Sequence, residues 1–214
     1  TPFLNHNDGV ACLAITNNNK IAISGSADCT IRLWDFNSHD QIGDPLIGHT
    51  SVVSCLCITK DDKYVFSSSY DGTIRKWSIY SSKRKGDLML THNGIINKIA
   101  LSSNNRYLIG GCEDGCVFIC DYKHNKKSII KNKTAVRSLC ISNDDKYAYY
   151  GDTDGNIKCF KIESNIKKVY LFGKTGSAIE TINITSNGQF LFSGERDGVI
   201  KLWKRNNIFV GALI

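Results

Sequence analysis

No apolar run in this 214-residue chain approaches the ~20 consecutive residues of a membrane-spanning helix. The opening Thr1-Pro2-Phe3-Leu4-Asn5 lacks both the basic and the apolar region of a secretory signal. A soluble intracellular protein, cytoplasmic with the nucleus also open to it, is therefore the default expectation. A starting Met is lacking as well, as in a segment cut from a longer chain whose upstream targeting sequence would lie out of view. Disulfides are not expected. The nine cysteines are odd in number and several fall at repeat-equivalent places, Cys12 with Cys55 and Cys57 with Cys140, where a strand wants a small apolar residue. Cys112, Cys116 and Cys120 straddle a turn and match no zinc-ligand spacing, so neither a metal nor a cofactor is expected. No long linker or low-complexity segment interrupts the chain.

What the chain does have is repetition. Asp71-Gly72-Thr73-Ile74-Arg75-Lys76-Trp77 recurs with variations beginning at Asp28, Asp114, Asp154 and Asp197, and in chain order these Asp residues are 43, 43, 40 and 43 positions apart. A near-constant period of this size is that of stacked supersecondary units. Within a copy, Asp-Gly supplies a tight turn and alternating β-formers follow it, which is the pattern of a β-hairpin. The register extends backwards. Eight residues before each Asp, Lys20, Lys63, Arg106, Lys146 and Gln189 close a polar turn; twenty-two before it stand His6, His49, His92, Asn132 and Thr175, each leading into an alternating apolar run. Each unit thus holds at least three antiparallel strands, and a connecting segment such as 41–47 is long enough for a fourth. The units run approximately 6–47, 49–90, 92–131, 132–173 and 175–214, one array over 1–214.

The order Gly-His, apolar run, Ser-Gly-Ser, Asp-Gly, Trp-Asp resembles the WD-repeat (WD40) β-propeller family over essentially the whole chain. The resemblance implies an all-β fold of five four-stranded blades, and a binding platform rather than a catalyst. Pro2-Phe3-Leu4-Asn5-His6 matches Pro45-Leu46-Ile47-Gly48-His49 in spacing, and 208–214 supplies a further apolar strand. Both ends then carry an outer-strand segment, as in part of a larger propeller of about seven blades. The third repeat has Gly110 and Cys120 where its neighbours have Ser and Trp. The fourth has Asn132, Tyr150 and Phe160 at the key places, is three residues shorter, and is expected to be the loosest blade.

Formal net charge is +7, and the lysines cluster at Lys83-Arg84-Lys85, at Lys123, Lys126, Lys127, Lys131 and Lys133, and at Lys158, Lys161, Lys167 and Lys168. One reading is a phosphate-binding rim for RNA or anionic lipid. The other is lysine on outermost strands blocking edge-to-edge pairing. The second is favoured, because no aromatic residues are regularly interleaved with the lysines for base stacking.

His6, Ser24, Asp28 and Trp34 recur as His49, Ser67, Asp71 and Trp77, with partial sets in His92 and Asp114, in Asp154, and in Ser193, Asp197 and Trp203. A hydrolase triad uses the same residue types. A catalytic set should occur once, however, and no Gly-rich oxyanion loop is in view, so no catalytic residue is assigned. In the family these residues form a hydrogen-bonded network within the blade, Asp with His, His with Ser, Ser with the Trp N–H. Gly173-Lys174-Thr175 lacks the first glycine of a phosphate loop, and Asp152-Thr153-Asp154-Gly155-Asn156 lacks the distal ligands of a calcium loop; both read as turns.

The resemblance further implies contact positions five residues after the His place and just before the turn Asp. These are Ala11, Ser54, Asn97, Arg137 and Glu180, and Ala27, Tyr70, Glu113, Thr153 and Arg196. Tyr70, Arg137 and Arg196 are side chains of the kind that anchor interfaces, whereas Glu113 and Glu180 speak against a uniformly basic nucleic-acid surface. The leading expectation is a non-enzymatic scaffold presenting this face to one or more proteins or peptides in a multiprotein complex. The alternative is an RNA- or phosphoinositide-binding module that uses the lysine clusters.

Overall fold

The computed structural model describes residues 6–81, 84–163 and 168–205, together with the backbone of the strand Ile208–Leu213. Every regular element among them is a β-strand, and no helix is long and apolar enough to cross a membrane. The segment 1–5, read above as an outer strand, lies outside the described residues, as do Lys83 and Lys167. The chain divides into two compact units, Thr1–Ile99 and Ala100–Ile214.

In the first unit, β1 (Val10–Ile15), β2 (Ile21–Ser26) and β3 (Ile31–Asp35) form an antiparallel sheet in sequence order, and β4 (Val53–Ile58), β5 (Tyr64–Ser69), β6 (Thr73–Ser78) and β7 (Asp87–Thr91) form a second. The fourth strand of the first blade is a broken one. Ile42 N donates to Leu33 O at 2.8 Å and Leu46 N to Ile31 O at 2.8 Å. Between them Gly43 turns to φ +63° and Pro45 has no N–H to give. The hairpin turn Asp71-Gly72 depends on glycine: φ is +76° and a Cβ there would stand 2.2 Å from His92 O.

The alternation that makes each strand two-faced also gives each blade two apolar sides. Ile21, Ile23, Ile31, Leu33 and Leu46 of the first blade share a core with Val53, Leu56, Val65, Trp77 and Ile79 of the second. The sheets approach closely at Gly25 of β2, where Val53 Cγ1 lies 2.6 Å from the position a Cβ would take. At the opposite edge the turns of the two blades clasp. Asp62 accepts from Asn17 N and Asn17 Nδ2, both at 2.7 Å, and from Asn18 N at 2.9 Å.

Three sheets follow: β8 (Ile96–Leu101), β9 (Tyr107–Cys112), β10 (Cys116–Asp121) and β11 (Lys126–Lys131); β12 (Val136–Ile141), β13 (Tyr147–Asp152), β14 (Asn156–Lys161) and β15 (Val169–Lys174); β16 (Ile179–Ile184), β17 (Phe190–Glu195), β18 (Ile200–Lys204) and β19 (Ile208–Leu213). Inside the second unit Val136 seats on Gly111 and Ile179 on Gly151, the counterparts of Val53 on Gly25. Asp145 accepts from Ser103 N, Ser103 Oγ and Asn104 N, the counterpart of the Asp62 clasp. The three residues that the interval from Asp114 to Asp154 lacks are lost from the hairpin between β10 and β11, which runs through only Tyr122 to Asn125, so the shortening read above in the fourth repeat falls in the third blade.

The degenerate repeats are repacked rather than loosened. Tyr150 and Phe160, in place of Ser and Trp, are both fully buried, with ring centroids 6.3 Å apart, so the expectation that the fourth blade is the loosest does not hold for its core. In the third blade Phe118 fills the space over Gly110, and a Cβ on Gly110 would lie 1.9 Å from Phe118 Cζ. Restoring the neighbours' residue by Gly110→Ser is therefore expected to destabilise the fold by about 1–3 kcal/mol through overpacking. A urea midpoint that rises in this variant would refute the account.

Candidate partner-binding face

The His-Ser-Asp-Trp residues of the first two repeats meet in the order the hydrogen-bond inventory demands. Trp34 Nε1 can only donate, and it donates to Ser24 Oγ at 2.8 Å. The Ser24 hydroxyl is then free to donate to His6 Nε2, 2.7 Å away, which leaves the His6 Nδ1 proton for Asp28 Oδ2 at 2.8 Å. Trp77, Ser67, His49 and Asp71 repeat the chain at 2.8, 2.7 and 2.9 Å. The sequence of contacts is that of a hydrolase triad, but Ser67 is fully buried and its oxygen already accepts the Trp77 N–H. Each proton in the network serves a neighbour within the blade.

The network responds to acid in a defined sense. Burial pushes His49 below the usual imidazole range against the pull of Asp71, so its neutral form is favoured in the fold. Burial alone would raise Asp71, but hydrogen bonds from Thr73, Thr50 N and His49 outweigh it and hold the carboxyl at about 2. The His49 contribution to stability is present above its unfolded pKa of roughly 6.5 and is lost as pH falls below it. That of Asp71 is present above roughly 3.9 and is lost as pH falls towards about 2. Thermal unfolding across a pH series is expected to give a Tm that is level near pH 7–8 and falls in two stages on acidification, the upper stage flattened in His49→Gln. A Tm that rises from pH 7 to pH 5 would contradict this.

The remaining repeats lack one or more of the four residue types. Trp203 Nε1 donates to Ser193 Oγ at 2.9 Å, but Thr175 stands in the His place, and Asp197 is an exposed turn residue accepting from Val199 N. His92 falls in the first unit and Asp114 in the second, where Asp114 is exposed and accepts from Cys116 N. Asp154, singled out from the sequence, is also exposed, and the buried carboxylate of that blade is Asp152, two residues earlier. Asp152 accepts from Asn132 Nδ2 at 3.1 Å and Asn156 N at 2.9 Å, and pairs with Lys158 Nζ at 3.3 Å. Lys158 also donates to Asn132 Oδ1. Glu195 and Lys201 form the same kind of pair in the last blade, at 2.9 Å. Sequence reasoning missed both pairs. The signal was there within the chain: the two repeats without His are the two that carry an acid two places before the turn and a Lys on the next strand.

Lys158 accordingly leaves the basic rim for the interior. Lys161 pairs with Glu163, and Lys168 sits over the Tyr170 ring. Lys126, Lys127 and Lys131 lie exposed on β11, the outermost strand of its sheet.

The contact positions are grouped differently in the two units. In the first, Tyr70 and Ala11 are exposed and Ala27 and Asn97 half-buried, while Ser54 turns inward, its Oγ donating to Ile96 O at 2.5 Å. In the second, the positions form a ladder. Glu113 Oε1 lies 3.2 Å from Arg137 Nη2, Arg137 Nη1 3.7 Å from Glu180 Oε2, and Glu180 Oε1 2.9 Å from Arg196 Nε. Thr153 stands beside it, its N–H donated to Ala135 O. Four side chains from three successive blades thus alternate in charge along one row, with Glu113 and Arg196 exposed at its ends and Arg137 and Glu180 half-buried between them.

A chain built of such antiparallel blades, with a buried Asp-His-Ser-Trp network in some and glycine sockets between them, is an all-β propeller repeat protein. The family model described as "WD domain, G-beta repeat" matches residues 1–35, 41–78, 86–121, 125–161 and 166–204, and the chain belongs to that family. WD-repeat propellers are generally non-enzymatic and serve as protein-interaction scaffolds. A curated protein, "WD repeat-containing protein 53 homolog" of Dictyostelium discoideum, is 43% identical over 42 residues, which is 20% of this chain and 11% of that protein.

Proposed function

We propose that this chain is a non-enzymatic scaffold that holds a peptide or a partner protein against the Glu113–Arg137–Glu180–Arg196 row of its second unit, with Tyr70 as a separate anchor on the corresponding loops of the first. The row itself carries the reading. Exposed ion pairs add roughly 0–1 kcal/mol each to stability, so the fold gains little from them. What the alternation does is hold two guanidinium groups in fixed orientation at the surface, ready for a partner that offers carboxylates to the arginines and a base to Glu113. The lysines on β11 have an account of their own as protection of an exposed strand edge.

The test is binding of a partner recovered with the intact protein. Arg137→Ala, Arg196→Ala and Tyr70→Ala are each expected to weaken it by about 1–3 kcal/mol with the unfolding midpoint unchanged. Full-strength binding by all three variants would remove the face from consideration. Binding that is lost steeply as salt rises, together with affinity for RNA or anionic vesicles, would favour the lysine clusters instead.

A further inference from the structure

The outer strands differ in how well their free edges are blunted. That of the first blade is broken around Gly43 and Pro45. β7, β15 and β19 each pair with an irregular register, between Ile74 and Arg75, Ile157 and Lys158, and Leu202 and Trp203. Bulges of this kind twist an edge away from further pairing. Of the outer strands among the described residues, only β11 lacks one. Its ladder with β10 runs unbroken from Cys116–Lys131 to Asp121–Lys126, and it ends its sheet.

One hydrogen bond fixes which backbone groups of β11 face outward. Asn132 N donates to Gly115 O at 3.0 Å, so these two residues are a hydrogen-bonded pair, and antiparallel alternation makes Ile130, Ser128 and Lys126 the next ones bonded to β10. The N–H and C=O groups of Lys127, Ile129 and Lys131 therefore point to the free edge. Their side chains share one face of the strand and all three are exposed, Ile129 to 62%. Ile130, on the other face, packs against the core around Tyr107, Ile109 and Val117. A straight, unpaired edge thus presents an apolar side chain between two lysines.

The charge of this edge is uncompensated. No acid stands between Asp121 and Asp144 in the chain. Lys158, Lys161 and Lys201 each pair with a carboxylate, whereas among the described residues none of Lys123, Lys126, Lys127, Lys131 and Lys133 does. Lysine guards β11 by its charge and not by a bulge. Such a guard repels another basic edge but attracts an acidic one.

We propose that β11 is a docking edge for an extended acidic segment of a partner protein, which joins the sheet as a fifth strand. Residues directly opposite one another in such a pair put their side chains on the same face. The segment accordingly sets an acid against Lys127, an apolar residue against Ile129 and an acid against Lys131, with a free choice at the two positions between. The edge shares no residue with the Glu113–Arg137–Glu180–Arg196 row, and the inference does not rest on it.

Fluorescence anisotropy with a labelled peptide centred on Glu-Thr-Val-Thr-Glu tests it. The wild-type chain is expected to bind this peptide, and the double change Lys127→Glu with Lys131→Glu to weaken binding about tenfold or more. The same variant is expected to bind the peptide in which both Glu are Lys, which also shows that it is folded. N-methylation of the central Val removes the N–H that would reach Ile129 O while leaving every charge in place, and is expected to cost about tenfold in affinity. Bound peptide is expected to slow hydrogen exchange at the amides of Lys127, Ile129 and Lys131. Failure of the wild-type chain to bind, indifference to the charge reversal, equal binding of the N-methylated peptide, or unchanged exchange at those three amides would overturn the inference. So would polyuridine RNA or phosphatidylserine vesicles that bind more tightly than the peptide and are released by the same lysine changes, since the edge would then serve phosphates and not a strand.

Discussion

Trp77→Ala and Phe160→Ala are expected to lower the unfolding free energy by about 3–5 kcal/mol each, and by similar amounts. Trp77 is buried against the first blade, and its removal leaves both a cavity and a fully buried Ser67 oxygen without its donor. Phe160 occupies the same place in a repeat whose spelling departs most from the others, and from sequence alone it reads as the weaker position. Its side chain is nonetheless fully buried, packed in one cluster with Tyr107, Val136, Leu139 and Tyr150. The Tyr-Phe pair fills the volume that Ser and Trp fill elsewhere, so the cavity term is of the same order. Denaturant unfolding followed by far-ultraviolet circular dichroism measures both. A loss below about 1.5 kcal/mol at Phe160 would show that this blade is loosely packed after all.

Asp152→Ala is expected to cost about 3 kcal/mol, although Asp152 has no counterpart in the His-Asp networks of the first two blades. The carboxylate is buried and takes hydrogen bonds from Asn132 and Asn156 besides its pair with Lys158. Removing it leaves an ammonium group without its partner, and breaking a buried pair from one side is what makes such changes costly. Lys158 is about three-quarters enclosed, so water screens part of the penalty. The double change Asp152→Ala with Lys158→Met removes the orphaned charge as well and is expected to recover more than half of the loss. If the double variant is no more stable than the single one, the ion pair is not what holds this part of the blade.

The architecture was legible because it is written five times. The turn Asp, the closing polar residue and the apolar runs keep one phase over periods of 40 to 43 residues, and the strands fall where that phase puts them. The segment 41–47 was legible as long enough for a fourth strand, but its pairing only in part around Gly43 and Pro45 was not. What could not be read was how a blade compensates for a lost network residue. Aligning the turns points to Asp154, because the turn position is conspicuous in sequence, but the buried acid is set by which way a side chain faces two residues earlier. Gly110 likewise reads as a defect until Phe118 is seen filling its place. The contact positions were available only through likeness to the family. That Arg137 would bridge Glu113 and Glu180 depended on side chains reaching between blades that lie more than 20 residues apart in the chain.

The turns between the first and second strands and the hairpins that lead to the outer strands differ in what they permit. Asn17 and Asp62, like Ser103 and Asp145, lock one blade's turn to the next through backbone N–H groups. An insertion there would shift those donors out of reach. The β10–β11 hairpin has shed three residues and still keeps its ladder from Cys116–Lys131 to Asp121–Lys126 intact. Changes of chain length in this protein are therefore admitted at the circumference, and grafted peptides or natural insertions belong beside the outer strands.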